Sequence, residues 1–216
     1  MVTLKASKLT LNDVHRLLKF RERLQEGLFT EFFALEPLTN FEQQELNQIR
    51  DNFRAYLRLE KVTEGQVKAL TTFPLLRLAG FYHYPIQINV EEGIDSIIIE
   101  DEDKVITGRF DIVAVDAAGL TNGISFWILA IESKESGIEV RQGLPQLLTY
   151  VYQSLQQQPT VWGLVTNGLQ YLFVNIQQGN PPTYQLMPIL DLMYSEPSIQ
   201  LVQVLQGICK LQHAAA

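Results

Sequence analysis

Cysteine is nearly absent: Cys209 is the only one in 216 residues, which excludes an intramolecular disulfide and a thiolate zinc site. Long apolar runs are missing too. No stretch approaches the roughly 20 consecutive apolar residues needed to cross a bilayer, so no transmembrane span is expected. The N-terminal stretch MVTLKASKLTLNDVHRLLKF carries positive charge but neither a continuous apolar core nor a small-residue cleavage site. It does not read as a signal peptide, and a cytoplasmic location is the expectation. His15, His83 and His213 show no metal-ligand spacing. There is no G-x-x-x-x-G-K-[ST] loop, hence no ATP-driven motor, and no G-x-S-x-G elbow.

What is present is the make-up of an ordinary globular protein, 46% hydrophobic and 19% charged, long enough for one substantial domain with or without an appended helical piece. The net charge of −7 sits badly with a polyanionic partner, but it is unevenly spread. Residues 1–60 hold nine basic and nine acidic side chains, while residues 61–216 hold eight against fifteen. Lys210 is the only lysine or arginine after Arg141. Near the start the balance reverses, with Lys5, Lys8, Arg16, Lys19, Arg21 and Arg23 facing only Asp13 and Glu22 over residues 1–25. A phosphate backbone would be best received there. The other reading of those residues is a solvated helix face.

Periodicity divides the chain. Thr10 or Asn12 caps a predicted helix through Val14, Leu17, Leu18, Phe20 and Leu24, and a second, after Thr39-Asn40, lines up Phe41, Leu46, Ile49, Phe53, Tyr56 and Leu57. With no strand signal, residues 1–60 read as a helical arm packed on a domain spanning 61–216. A third helix starts at Thr63, runs through Leu78, is kinked by Pro74 and is closed by Gly80. Strands are then expected at Ile86–Val90, at Ile97–Ile99 with Val105–Val115 as a hairpin around the acidic tip 100–103, and at Phe126–Ile131 after an Asn122-Gly123 turn. A helix over 143–156, a hairpin of Val161–Val165 with Tyr171–Val174 around Asn167-Gly168, a strand over 185–189 and a helix over 198–211 complete an α/β order. Trp127 and Trp162 read as core, and Cys209 as buried filler on an apolar helix stripe.

The chemistry concentrates in two strands. Asp111 interrupts the run Gly108-Arg109-Phe110-Asp111-Ile112-Val113, and Glu132 and Lys134 end Phe126-Trp127-Ile128-Leu129-Ala130-Ile131-Glu132-Ser133-Lys134. Residues two apart in a strand share a face, so Glu132 and Lys134 point together. If the strands pair, Asp111 joins them. Two carboxylates and the Ser133 carbonyl would make an oxygen-rich site suited to Mg²⁺, or Mn²⁺, with Lys134 placed to orient a water or steady developing charge. The plainer reading is a pair of charged strand ends. On the following helix, Gln146 and Tyr150 lie four apart on one face.

In this order the segments resemble the PD-(D/E)xK nuclease superfamily, and most closely the N-terminal nuclease domain of type I restriction-enzyme motor subunits. Asp111 in GRFD, Glu132-Ser133-Lys134 as E-x-K, and Gln146 with Tyr150 as Q-x-x-x-Y match its motifs. Glu64 in TEGQVKALTTFPLLRLAGFY is similar to the acidic residue of its first helix, and VWGLVTNGLQYLFV to the segment that follows the Q-x-x-x-Y helix. The likeness covers about residues 62–176. Phe110 stands where many members carry Pro.

The resemblance implies a restriction-endonuclease-like core, a mixed central sheet flanked by helices. Asp111 and Glu132 would bind the metal, Lys134 would assist the hydrolytic water, Glu64 would add a carboxylate, and Gln146 and Tyr150 would brace the site or contact DNA. The leading expectation is a Mg²⁺-dependent DNA endonuclease or exonuclease of restriction, repair or defence. It could act as a homodimer through the N-terminal helices or inside a larger restriction or defence complex. The alternatives are a non-catalytic DNA-binding or assembly subunit, which the acidic balance favours, and an RNA- or nucleotide-directed hydrolase.

Overall fold

A computed structural model describes residues 2–24, 27–121 and 124–211. The strands in chain order are β1 (Val2–Lys5), β2 (Arg21–Glu22), β3 (Ile86–Val90), β4 (Ile97–Ile99), β5 (Lys104–Thr107) and β6 (Ile112–Thr121), then β7 (Ile124–Ser133), β8 (Thr160–Thr166), β9 (Gln170–Gln177), β10 (Thr183–Leu186) and β11 (Leu190–Asp191). The helices are α1 (Leu11–Leu17), α2 (Asn40–Leu59), α3 (Glu64–Val67), α4 (Phe73–Leu78), α5 (Leu144–Ser154) and α6 (Ser195–Lys210). The main sheet runs β2-β10-β9-β8-β7-β6-β3, with β11 added on β9, and a small sheet runs β1-β5-β4.

The architecture is α/β, a mixed central sheet flanked by helices. Strand β7 lies inside it, antiparallel to β6 and parallel to β8. A parallel pair cannot be closed by a tight turn, and the crossover is supplied by α5, with Pro145 in its first turn. The sheet separates two buried clusters. Ile112, Ala114, Leu129 and Ile131 face α2, α4 and α6, whose Phe53, Leu76 and Leu205 fill that side. Their neighbours Val113, Val115 and Ala130 face α5 and the small sheet, against Leu144, Leu148 and Ile106. Opposite faces at successive residues follow from the period of two along a strand.

Local signals explain most elements. Thr10, Thr39 and Thr63 each form a capping box, with Asp13, Glu42 and Gln66 answering three residues on, which satisfies otherwise orphaned N–H groups at the helix starts. Between α3 and α4 the helix widens into a π turn over Lys68–Thr72. The kink expected of Pro74 takes this form: proline has no N–H to donate back, and the preceding turn opens instead.

Residues 1–60 depart from the strand-free reading. They contribute β1, parallel to β5, and β2, parallel to β10. The first helix ends at Leu17 rather than running on to Leu24, because Lys19 takes a left-handed φ of 61°; Phe20 is still buried, and Leu24 is 87% exposed. On α2, Leu46, Ile49 and Phe53 are buried in the common core, while Phe41 and Tyr56 of the expected stripe are exposed. The single strand read over Val105–Val115 is two, with β5 in the small sheet and β6 in the main one. The break falls at Gly108, where a Cβ would sit 2.8 Å from the Tyr150 ring and 2.9 Å from Ala6. The Asn122-Gly123 turn and His213 lie outside the described residues. Among the described residues no helix is long and apolar enough to cross a membrane.

Candidate active site

The site lies at the carboxyl end of β7, between antiparallel β6 on one side and parallel β8 on the other. Asp111 sits just before β6, on the same face as Val113; Glu132 follows the same parity from Ala130. Both therefore turn toward α5. Gly143 makes room for Glu132, since a Cβ there would come within 2.5 Å of Val165 and 3.1 Å of Glu132 Cγ.

Glu132 is 1% exposed. Its Oε1 accepts from Lys134 Nζ, and its Oε2 is buried with no hydrogen-bond partner. Burial, reinforced by the charge of Asp111 and opposed by Lys134, pushes its carboxyl up to about 8. Asp111 is also raised, mainly by burial, while the N–H of Ser133 pulls the other way and Glu64 adds to the rise. The Ser133 N–H donates to Asp111 Oδ2 at 2.7 Å. In an extended strand a residue's N–H and C=O point to the same edge, so the Ser133 carbonyl faces the Asp111 side.

Lys134 is held from behind. Its Nζ donates to Gln146 Oε1 at 3.1 Å, and Gln146 Nε2 donates to Tyr150 Oη at 2.5 Å. The i, i+4 pair on α5 thus reaches the site as a brace on the lysine. Burial, then the charge of Glu132, raises the Tyr150 phenol, which stays protonated.

Lys68, which sequence reasoning missed, brings in Glu64. Its Nζ donates to Glu64 Oε1 at 3.1 Å, Glu91 Oε1 at 3.2 Å and Asp111 Oδ1 at 3.3 Å. Burial alone would lower its ammonium, but Asp111 and the two glutamates outweigh that and raise it. Arg109 lies 3.6 Å from the other oxygen of Glu91. A signal for Lys68 existed, as it stands four residues after Glu64 amid the apolar positions Val67, Leu70 and Phe73. Glu91 had none; it joins from the end of β3 with a φ of 55°.

Of the basic residues near the N-terminus, Arg16 pairs with Glu102 and Asp13, and Arg23 donates to Asn175 and Gln185. Lys5, Lys8, Lys19 and Arg21 are exposed. Among the described residues, no three His, Cys, Asp or Glu side chains come together as a ready-made metal site. Any ion here would rest on Asp111, Glu132 and main-chain oxygen. The orphaned, buried Glu132 Oε2 next to a second carboxylate fits such an ion: the cation would answer both the missing partner and the mutual repulsion.

The fold and the site define an α/β protein with a buried carboxylate pair and a braced lysine. No protein-family model and no curated protein sequence matches the chain. Among solved structures it is similar to a fragment assigned as an HsdR subunit of a type I restriction enzyme from Vibrio vulnificus YJ016, with 19% identity and a TM-score of 0.40. The match covers 68% of this chain and 26% of that one, so this chain spans about a quarter of its length.

Proposed function

We propose that this chain is a Mg²⁺- or Mn²⁺-dependent phosphodiester hydrolase acting on DNA, a PD-(D/E)xK-type nuclease of restriction, defence or repair. The observation that carries the reading is Glu132, a carboxylate 1% exposed with one oxygen unpartnered, beside Asp111 and under Lys134. Burying a carboxylate with one oxygen unpaired, next to a second carboxylate, is costly even with Lys134 on the other oxygen, and a cation would answer that cost.

Asp111, Glu132 and the Ser133 carbonyl would hold the ion, which when bound polarises a phosphate and lowers the pKa of a bound water. The protein's own groups do the rest. Lys134, fixed by Gln146 and through it by Tyr150, presents its ammonium to the attacking water or to charge developing on the phosphate. Asp111 is held in place by the Ser133 N–H on one oxygen and Lys68 on the other. The exposed Lys5, Lys8, Lys19 and Arg21 would meet the phosphate backbone.

The test is cleavage of plasmid and linear DNA with Mg²⁺ or Mn²⁺, expected in the native chain and abolished in Asp111→Ala and Lys134→Ala. A second reading, a non-catalytic DNA-binding or assembly subunit, is favoured by the net charge of −7, all of it carried by residues 61–216. Absence of cleavage across both ions and all DNA forms would establish that reading instead. Cleavage of RNA or nucleotides alone would move the substrate but keep the site.

A further inference from the structure

We propose that the Lys68 ammonium stands in the place of a second cation: the site admits one divalent ion, at Asp111 and Glu132, and Glu64 and Glu91 serve Lys68 rather than that ion. The inference builds on the metal-dependent reading above and deepens it. It also reassigns Glu64, which the resemblance would have made an additional catalytic carboxylate.

An ammonium group has three N–H donors and no acceptor. Lys68 Nζ has three carboxylate oxygens within 3.1–3.3 Å, one each from Glu64, Glu91 and Asp111. Every donor is therefore matched, and the three acids converge on the point where a cation would otherwise be needed. The lysine side chain is 9% exposed, against 44% for Glu64 and 47% for Glu91. It is an internal cation with two half-exposed acids folded over it. It stands at the start of the π turn, whose Thr71 and Thr72 are buried, with the Thr71 hydroxyl donating to the Val67 carbonyl.

Charge points the same way. With all four ionised, as an ion on Glu132 requires, the carboxylates Glu64, Glu91, Asp111 and Glu132 meet three cations in Lys68, Lys134 and Arg109, a deficit of a single positive charge. One divalent ion reverses that deficit by one unit. A second would leave a partly buried site with three surplus positive charges, which such a site does not tolerate. Removing the lysine charge makes room for it. Glu64 and Glu91 are exposed enough to close by the roughly 1 Å that separates the present N–O distances from the ~2.1 Å of a Mg²⁺-like ion.

The experiment counts Mn²⁺ bound at saturation, by calorimetric titration and by the electron paramagnetic resonance of free Mn²⁺, on the full chain. The native protein, Lys68→Met and the double variant Glu64→Gln/Glu91→Gln are compared. The expected increment is one ion, from one in the native protein to two in Lys68→Met. The double variant, which keeps Lys68 and alters only exposed acids, is expected to remain at one. No increment in Lys68→Met overturns the proposal, and so does a double variant that falls to none, which would make the glutamates ligands. Should the native chain bind no ion while Lys68→Met binds one, the metal-dependent reading fails and the role of Lys68 stands.

Discussion

Glu132 offers a sharp thermodynamic test, because its burial ties stability to pH in the metal-free protein. In the folded chain its carboxyl titrates near 8, against an ordinary value of 4.5. Below the lower value the carboxyl is protonated in both states and the site costs nothing. Between the two, the unfolded chain releases a proton that the folded chain keeps, so stability falls by about 1.4 kcal/mol per pH unit. Above the higher value the loss levels off. Glu132→Gln removes this titration while keeping the side chain's shape and an acceptor for Lys134. The stability of the variant relative to the native chain should therefore rise by about 3 kcal/mol between pH 5 and 7.5. Asp111 moves the result slightly, since its own raised carboxyl loses a charged neighbour in the variant. Urea unfolding in EDTA at a series of pH values, followed through Trp127 and Trp162, reads this directly. Saturating Mn²⁺ should then stabilise the native chain and leave the variant little changed. Parallel stability curves for the two proteins would refute the reasoning, for they would mean that Glu132 is hydrated or already paired.

Two further outcomes bear on the rest of the molecule. Phe53→Ala should cost about 3–5 kcal/mol, because Phe53 is fully buried and its ring fills the space above Gly168; a loss under about 1 kcal/mol in urea unfolding would show α2 to be a detachable arm. Cys209 is 8% exposed and burial pushes its thiol up to about 11, so a thiol reagent at pH 8 should react roughly a hundredfold more slowly with the folded chain than in denaturant, and equal rates would place Cys209 at the surface.

How much of this was legible depended on whether the determinant was local. Glu132 and Lys134 share a face because a strand repeats every two residues, and Gln146 and Tyr150 because a helix nearly repeats every four; both pairs can be read from spacing alone. The capping boxes at Thr39 and Thr63 are equally local. Lys68 could have been read from its place four residues after Glu64, but Glu91 was hidden, because its meeting with Lys68 needs the end of β3 to lie against a helix some twenty residues earlier. Strand β2 was hidden for a related reason: Arg21–Glu22 is extended only because β10 offers it an edge. The division of Val105–Val115 between two sheets turns on Gly108, whose missing Cβ matters only once Tyr150 and Ala6 are packed against it. Nothing in the β-branched run itself marks that boundary.

The widened turn at Lys68–Thr72 has a consequence for how the chain can change. A π turn holds about one residue more than an α turn, so the stretch from Glu64 to Leu78 behaves as a regular helix carrying a one-residue insertion. Losing one residue of the turn would let the helix close regularly. Because the π turn is what absorbs the extra residue, Glu64 before it and Leu75 and Leu76 after it, locked in the core, would keep their places. What such a deletion disturbs is the turn itself, and with it the placing of Lys68, the group that joins Glu64 and Glu91 to Asp111. The length of this turn is therefore a point at which the acidic cluster can be altered while the scaffold stays folded.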